Sequence, residues 1–209
     1  FEDRDGSGSI GTGAGTVDDP GDMMIIGNTT PRYSYSFRIE ASWNGFDISA
    51  FFQGVGKRDW YPTANKDDIY GANQFWQLYG YTIPSFITYD FMDDVWSEQN
   101  PGGYFPRLRP IQSYNGGPLG QNNDRYLQSV AYLRFKNLTI GYTLPVLKKY
   151  LSKLRIYVSG ENLCYWSPLK KHCKLIDPEL AISSGTYKGG TGTGYTMPRT
   201  FSFGVDITF

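Results

Sequence analysis

Hydrophobic and polar positions alternate without a miss from Arg199 to Phe209. Phe201, Phe203, Val205, Ile207 and Phe209 fall on one face; Thr200, Ser202, Gly204, Asp206 and Thr208 fall on the other. A strict period of two predicts a strand with one apolar and one polar side. Tilted by about 45°, a strand of this length rises roughly 25 Å, the height of the apolar band of a transmembrane barrel. It reads as the closing strand of an outer-membrane β-barrel, and the other elements test that expectation.

The same pattern marks a hairpin. Tyr33, Tyr35, Phe37, Ile39, Ala41 and Trp43 share one face, with Ser34, Ser36, Arg38, Glu40 and Ser42 opposite. Asn44-Gly45 follows, the pair favoured in a two-residue type I′ turn because both positions need positive φ. Such a turn sets Trp43 against Phe46 and places Ile48, Ala50 and Phe52 on the same side. Periodicity then fades from Gly54 to about Arg125, a stretch crowded with aromatic residues. So long a loop is expected to be a folded cap or a ligand-contacting segment. Short helices are expected around Tyr70–Tyr79 and Phe91–Trp96.

Strand pattern returns at Tyr126. Leu133 and Phe135 are in phase, as are Leu138, Ile140, Tyr142 and Leu144; the slip at Lys136-Asn137 predicts a β-bulge. Pro145 ends the strand, and 146–153 is a short connection with helical character. Leu154, Ile156 and Val158 alternate with Arg155, Tyr157, Ser159 and Glu161 in the next strand. Residues 163–198 make a second long loop.

The expected division is therefore an extracellular loop at 1–31, a hairpin at 32–55, a long extracellular loop at 56–125, a strand pair at 126–162, another extracellular loop at 163–198 and a closing strand at 199–209. Connections alternate between short and long, the asymmetry of outer-membrane barrels. That orientation puts Trp43, Phe46, Tyr142 and Phe209 near one edge, as an aromatic girdle. Bacterial single-chain barrels have about eight or more strands. Five strands left open in lipid strand their edge groups, so the chain is expected to be part of a larger barrel.

Composition supports this class. Aromatic residues make up 17% of the 209 residues and glycines number 25, a bias toward strands and loops. A mean hydropathy of -0.42 argues against a helical membrane protein. It does not argue against a barrel, where every second residue is polar. No run reaches the roughly 18 apolar residues of a membrane helix, and Phe1-Glu2-Asp3-Arg4-Asp5 has no signal pattern. That leaves a cleaved leader or a downstream piece of a longer chain. Net charge is zero, so no nucleic-acid partner is implied.

Several phrases resemble one family: GNTTPRYSYSF, WNGFDISAFFQGVGKRDWY, YLRFKNLTIGYTLP, LRIYVSGENL, DPE and FSFGVDITF. Together they are similar to the C-terminal barrel portion of SusC/RagA-type TonB-dependent transporters. The resemblance implies an all-β fold, the last five antiparallel strands of a transmembrane β-barrel of about 22 strands, with long extracellular loops. It implies import of a large nutrient, an oligosaccharide or oligopeptide, across the outer membrane of a Gram-negative bacterium. It also implies a SusD-like surface lipoprotein as lid and TonB as the energy source. TonB would act through a plug domain that this chain does not contain. The contrasting expectation is a soluble β-sandwich module that binds carbohydrate.

Candidate chemistry is sparse. Asp3-Arg4-Asp5-Gly6-Ser7-Gly8-Ser9-Ile10 resembles the first half of an EF-hand calcium loop, with Asp3, Asp5 and Ser7 as oxygen ligands. Position twelve is Ala14 rather than Glu. Asp18, Asp19 or Asp22 supplies a carboxylate only in a different loop shape, and the plain alternative is an Asp/Gly/Ser turn. Asp90, Asp93, Asp94 and Glu98 read as a solvated acidic loop rather than a glycosidase pair. His172, the single histidine, lacks a triad motif. With Cys164 and Cys173 it forms a poor zinc set, so no catalytic residue and no cofactor other than calcium is expected. A Cys164–Cys173 disulfide stays open. Trp60, Tyr61, Trp76, Tyr79 and Trp96 are the candidate substrate contacts, because aromatic faces stack on sugar rings or peptide side chains. Their alternative role is to pack the loop on itself. The mixed-sign set Arg38, Glu40, Asp47, Gln53, Arg155, Glu161 and Asp206 is expected to line the lumen as an ion-pair lattice.

Overall fold

A computed structural model describes residues 1–61, 90–107, 123–145, 151–174, 176–181 and 197–209. The described residues are all-β, joined by short 3₁₀ turns, with no α-helix among them. Strands β1 (Ser34–Trp43), β2 (Phe46–Val55), β5 (Tyr132–Leu144), β6 (Lys153–Trp166) and β7 (Thr200–Thr208) form one antiparallel sheet in the order β1-β2-β5-β6-β7. Two-residue strands β3 (Asp59–Trp60) and β4 (Gln128–Ser129) pair above it.

The hairpin forms as its sequence dictates. Asn44 and Gly45 have φ of 47° and 87°, the doubly positive turn that lets β1 and β2 keep their right-handed twist. Trp43 faces Phe46 and the register runs unbroken to Ser34 against Val55. A Cβ on Gly45 would sit 2.9 Å from the Thr143 carbonyl. The turn packs closely on β5, whose Thr143 N–H donates to the Gly45 carbonyl at 2.7 Å.

The bulge is where the hydrophobic phase slips. Pairing of β5 jumps between Phe135 and Asn137 on the β6 side, and between Phe51 and Phe52 on the β2 side. The extra residue returns Leu133 and Phe135 to the same face as Leu138, Ile140 and Tyr142. β6 runs on to Trp166, beyond the expected end of that strand. Tyr126, expected to open a strand, instead ends a 3₁₀ turn at Asp124–Tyr126, capped by the Asn123 side chain. Its ring is drawn into the core rather than along the ladder.

That core is not between sheet layers. Trp60, Phe91, Val95, Phe105, Tyr126, Val130, Leu169, Cys173, Ile176 and Ala181 form one buried cluster. All belong to the two long connections, so the described parts of those connections make a folded cap. Phe91–Trp96, expected as a short helix, is a 3₁₀ turn over Phe91–Asp94. The helix expected at Tyr70–Tyr79 and most of the 146–153 connection lie outside the described residues.

Candidate functional site

The two faces of the sheet differ completely in chemistry. Cross-strand partners arrange one face in lateral rows: Tyr35–Gly54–Leu133–Trp166, Phe37–Phe52–Phe135–Cys164, Ile39–Ala50–Leu138–Gly160–Phe201, Ala41–Ile48–Ile140–Val158–Phe203, and Trp43–Phe46–Tyr142–Ile156–Val205. No charged side chain stands in any row. From Tyr35 to Trp43 the rows cover about 26 Å along the strand. Rings meet within them: Phe37 stacks on Phe52 at 4.9 Å and Phe52 on Phe135 at 4.5 Å, and Phe46 and Tyr142 are tilted against each other at 4.4 Å between centroids. Such pairs add about 0.5–1.5 kcal/mol each beyond their area. Yet the face is open: Trp43 is 79% exposed, Phe203 70% and Val158 49%. Trp43, Phe46 and Tyr142 share the lowest of these rows, while Phe209 lies further along the direction of β7.

The opposite face is polar and ion-paired. Arg155 on β6 holds Asp47 on β2 with two parallel bonds, Nε to Oδ1 at 2.9 Å and Nη2 to Oδ2 at 2.6 Å, and Asp206 on β7 at 3.0 Å. Strand β5 lies between Arg155 and Asp47, and the guanidinium crosses it above Gly141. A Cβ there would meet Arg155 Nε and Nη2 at 2.6 Å. The Tyr157 ring lies 4.9 Å from the same guanidinium. Arg38 and Glu40 pair more loosely at 3.5 Å, both well exposed. The expected lattice is present for Arg38, Glu40, Asp47, Arg155 and Asp206.

A second charged cluster joins cap to sheet. Arg134 on β5, 2% exposed, pairs with Asp177, and its Nε lies 3.4 Å from Glu179; Lys136 reaches Glu179 at 2.9 Å. Arg134 also stacks over Tyr165 at 4.8 Å. Asp177-Pro178-Glu179 therefore ties the second long connection to the sheet. Nothing local in the sequence marks Arg134, which alternates with Leu133 and Phe135 like any inward residue.

Within the cap, the acidic residues Asp90 and Asp94 are paired. Asp90 binds Lys174, and Asp94 lies 3.6 Å from His172 Nδ1. His172 stacks on Tyr104 with ring centroids 3.5 Å apart; burial holds its pKa below the ordinary value against the pull of Asp94. Tyr104 donates to the Arg125 carbonyl at 2.7 Å and accepts from Gln128. Burial pushes its hydroxyl up to about 12. Cys164 and Cys173 are both free thiols, and burial pushes the Cys173 thiol up, away from a reactive thiolate.

Of the candidate contacts, Trp60 is 2% exposed inside the cap core. Tyr61 packs against that core and its hydroxyl accepts from Asn123 at 3.1 Å. Trp96 is half-buried, its backbone N–H bound to the Phe105 carbonyl at 2.9 Å. Trp76 and Tyr79 lie outside the described residues.

Carboxylate oxygens of Asp3, Asp5 and Asp22 lie within 4.8 Å of one another. Asp3 accepts from the backbone N–H groups of Gly6, Ser7 and Gly8 at 2.8–3.1 Å. Asp22 accepts from Gly11 at 2.7 Å and from Arg4 and Asp5; these backbone donors, Gly11 first, hold its carboxyl below the usual range. Ser7 turns away, donating to the Ser9 carbonyl at 2.9 Å. An all-oxygen carboxylate set fits a hard divalent cation, with Asp22 in the place expected for Ser7.

No family model matches the chain. TonB-dependent receptor P3 of Formosa agariphila is 29% identical over 219 residues, covering 100% of this chain and 19% of that protein. The structures of the RagAB peptide transporter and of the RagAB peptide importer in its closed-closed state each share 20% identity, with a TM-score of 0.51 over 88% of this chain and 18% of theirs. The chain resembles the barrel portion of a SusC/RagA-type TonB-dependent transporter. It spans about a fifth of the length of these relatives. In the RagAB structures the likeness is one of fold: a five-stranded antiparallel sheet matched to part of a transporter.

Proposed function

We propose that this chain is a wall segment and part of the external cap of a TonB-dependent importer in the outer membrane of a Gram-negative bacterium. The charge-free, exposed row face carries this reading. A soluble sandwich would cover that face with a second sheet, and among the described residues no layer lies over it. An apolar patch of this extent on a soluble monomer is a liability, whereas in a bilayer it is the wall. The ion-paired face then lines the lumen, closure being completed by strands of the rest of the transporter and its interior by the plug.

The cargo is a large nutrient, an oligosaccharide or an oligopeptide, received with a SusD-like lipoprotein and moved at the expense of TonB. The cap carries no chemistry of its own; Tyr61 and Trp96, part-exposed at its surface, together with Trp76 and Tyr79, are the cargo contacts, and Trp60 supports them from the core. Asp3, Asp5 and Asp22 hold a calcium ion that fixes the shape of the first loop. The deciding experiment deletes the full-length gene and supplies oligosaccharides or oligopeptides as sole nutrient. Loss of growth on one class, restored by the intact gene but not in a TonB-deficient strain, is expected. Unchanged growth on both classes would sink the import reading.

A further inference from the structure

Two ties of different kinds fasten the first long connection to the second inside the cap. Asp90 and Asp94 bracket the 3₁₀ turn Phe91–Asp94, and His172 and Lys174 follow the 3₁₀ turn Pro168–Lys171. Lys174 pairs with Asp90, while His172 faces Asp94 with Nδ1 3.6 Å from Oδ2. The lysine tie keeps both charges at any pH above the carboxylate range. The histidine tie is charged on both sides only when the imidazole takes a proton.

The surroundings of His172 decide what that proton does. Its Nδ1 is buried and makes no hydrogen bond among the described residues, since 3.6 Å is too long for one. Tyr104 covers one face of the ring at 3.5 Å, and Phe105 meets it edge-on with centroids 6.2 Å apart. Tyr104 is itself held by the Arg125 carbonyl and by Gln128, so it does not slide away easily. Among the charged groups, Asp94 favours the imidazolium and Lys171 opposes it. The Lys174–Asp90 pair is balanced within itself, and Arg125 lies beyond Tyr104, 5.8 Å from its ring centroid. The Cys173 thiol and the phenols of Tyr104 and Tyr126 are neutral in acid. A proton on His172 thus meets a dry ring pocket and a carboxylate beyond hydrogen-bond reach. Closure of the pocket therefore opposes protonation, and protonation opposes closure.

The fastened segment carries Trp96. Phe105 N–H donates to the Asp94 carbonyl and Trp96 N–H to the Phe105 carbonyl, both at 2.9 Å. Asp94, Trp96 and Phe105 therefore move together. We propose that His172 and Lys174 form an acid-sensitive clasp, which holds Trp96 in its cargo-binding position near neutral pH and releases it in acid. The inference rests on Trp96 being a cargo contact and adds the regulation of that contact. Lys174 keeps the connections joined, and His172 sets how tightly the Trp96 segment is held against the cap.

The test uses the full-length protein in detergent and the thiol of Cys173, which is buried beside His172. Its labelling by dithiodipyridine, read by peptide mass spectrometry and divided by the rate for glutathione at the same pH, reports opening of the clasp. The ratio should rise several-fold from about pH 7.5 to about pH 5, one proton limiting the change to about tenfold per pH unit. His172→Phe keeps a ring on Tyr104 and should show no rise. Asp94→Asn, which removes the carboxylate favouring the imidazolium, should enlarge the rise. Lys174→Met should raise labelling at both pH values and keep the rise. Unchanged far-UV circular dichroism checks that the sheet stays folded. A flat ratio in the wild type, or the same rise in His172→Phe, overturns the clasp. Capture of rhodamine-labelled casein peptides and of rhodamine-labelled maltodextrins is then titrated at both pH values. The probe that binds should bind several-fold more weakly in acid, and His172→Phe should hold it equally at both. Equal capture by the wild type despite a labelling rise overturns the link to cargo. Failure of both probes to bind at neutral pH sinks the import reading and that link together, while the thiol ratio still decides the clasp.

Discussion

A guanidinium that spans three strands needs a gap in the middle one. Arg155 and Asp47 stand on β6 and β2, and the only route between them passes over Gly141 on β5. Gly141→Ala would put a methyl 2.6 Å from two of the arginine nitrogens, so the fork must leave Asp47. We expect a loss of about 1–2 kcal/mol, read as a lower melting temperature of the full-length protein. Arg155→Lys should cost a similar amount, because a point charge cannot replace two parallel bonds. Asp206→Asn should cost less than about 1 kcal/mol, since that carboxylate is 52% exposed. If Gly141→Ala melts like the wild type, the clamp contributes nothing. The mixed charges of this face were legible from alternation alone. Ion pairing was expected, but which residues pair was not legible, because alternation fixes a side chain's face and says nothing about strands two places away. A glycine inside a strong strand was the available signal.

Among the elements, the cap depends on buried charge rather than on secondary structure. Asp177→Ala leaves Arg134 buried without its main partner, at a cost of about 3–5 kcal/mol. That exceeds what local cap packing can absorb, so the second connection should detach and become sensitive to protease while the sheet persists. Equal protease resistance in variant and wild type would show that the Asp-Pro-Glu tie is dispensable. The cap should also respond to acid through His172. Its pKa is depressed in the folded state, so the unfolded state binds the proton first. The stability it contributes is full above the ordinary histidine value of about 6.5, declines as pH falls below it, and is lost once pH passes below the depressed folded value. Protection factors of the Cys173 and Phe105 amides, corrected for the pH dependence of intrinsic exchange, should therefore fall on acidification, and His172→Phe should flatten that slope. Strands, turn and bulge were legible because each is written in a local period. A folded cap was one expectation for the long loop, but the residues of its core were not legible, since Trp60, Phe91, Tyr126 and Ile176 meet across long separations with no common spacing.

The whole molecule can be judged by one contrast between neighbouring residues. Phe203 and Ser202 are adjacent on β7, both exposed, and opposite in face. In water, arginine at either position would be nearly neutral, because both side chains already meet solvent. In a bilayer the two sites diverge. Phe203 shares its row with Ala41, Ile48, Ile140 and Val158, between the aromatic rows at Trp43 and at Phe37, and an arginine at such depth costs about 2–4 kcal/mol. Ser202 turns to the polar face beside Ser159, where an arginine finds water. On the membrane reading, Phe203→Arg in the full-length protein should lower its yield in the membrane fraction several-fold, and Ser202→Arg should leave it near the wild-type level. Equal yields would mean that the row face never meets lipid, and its stacked phenylalanines would then need a protein partner to cover them.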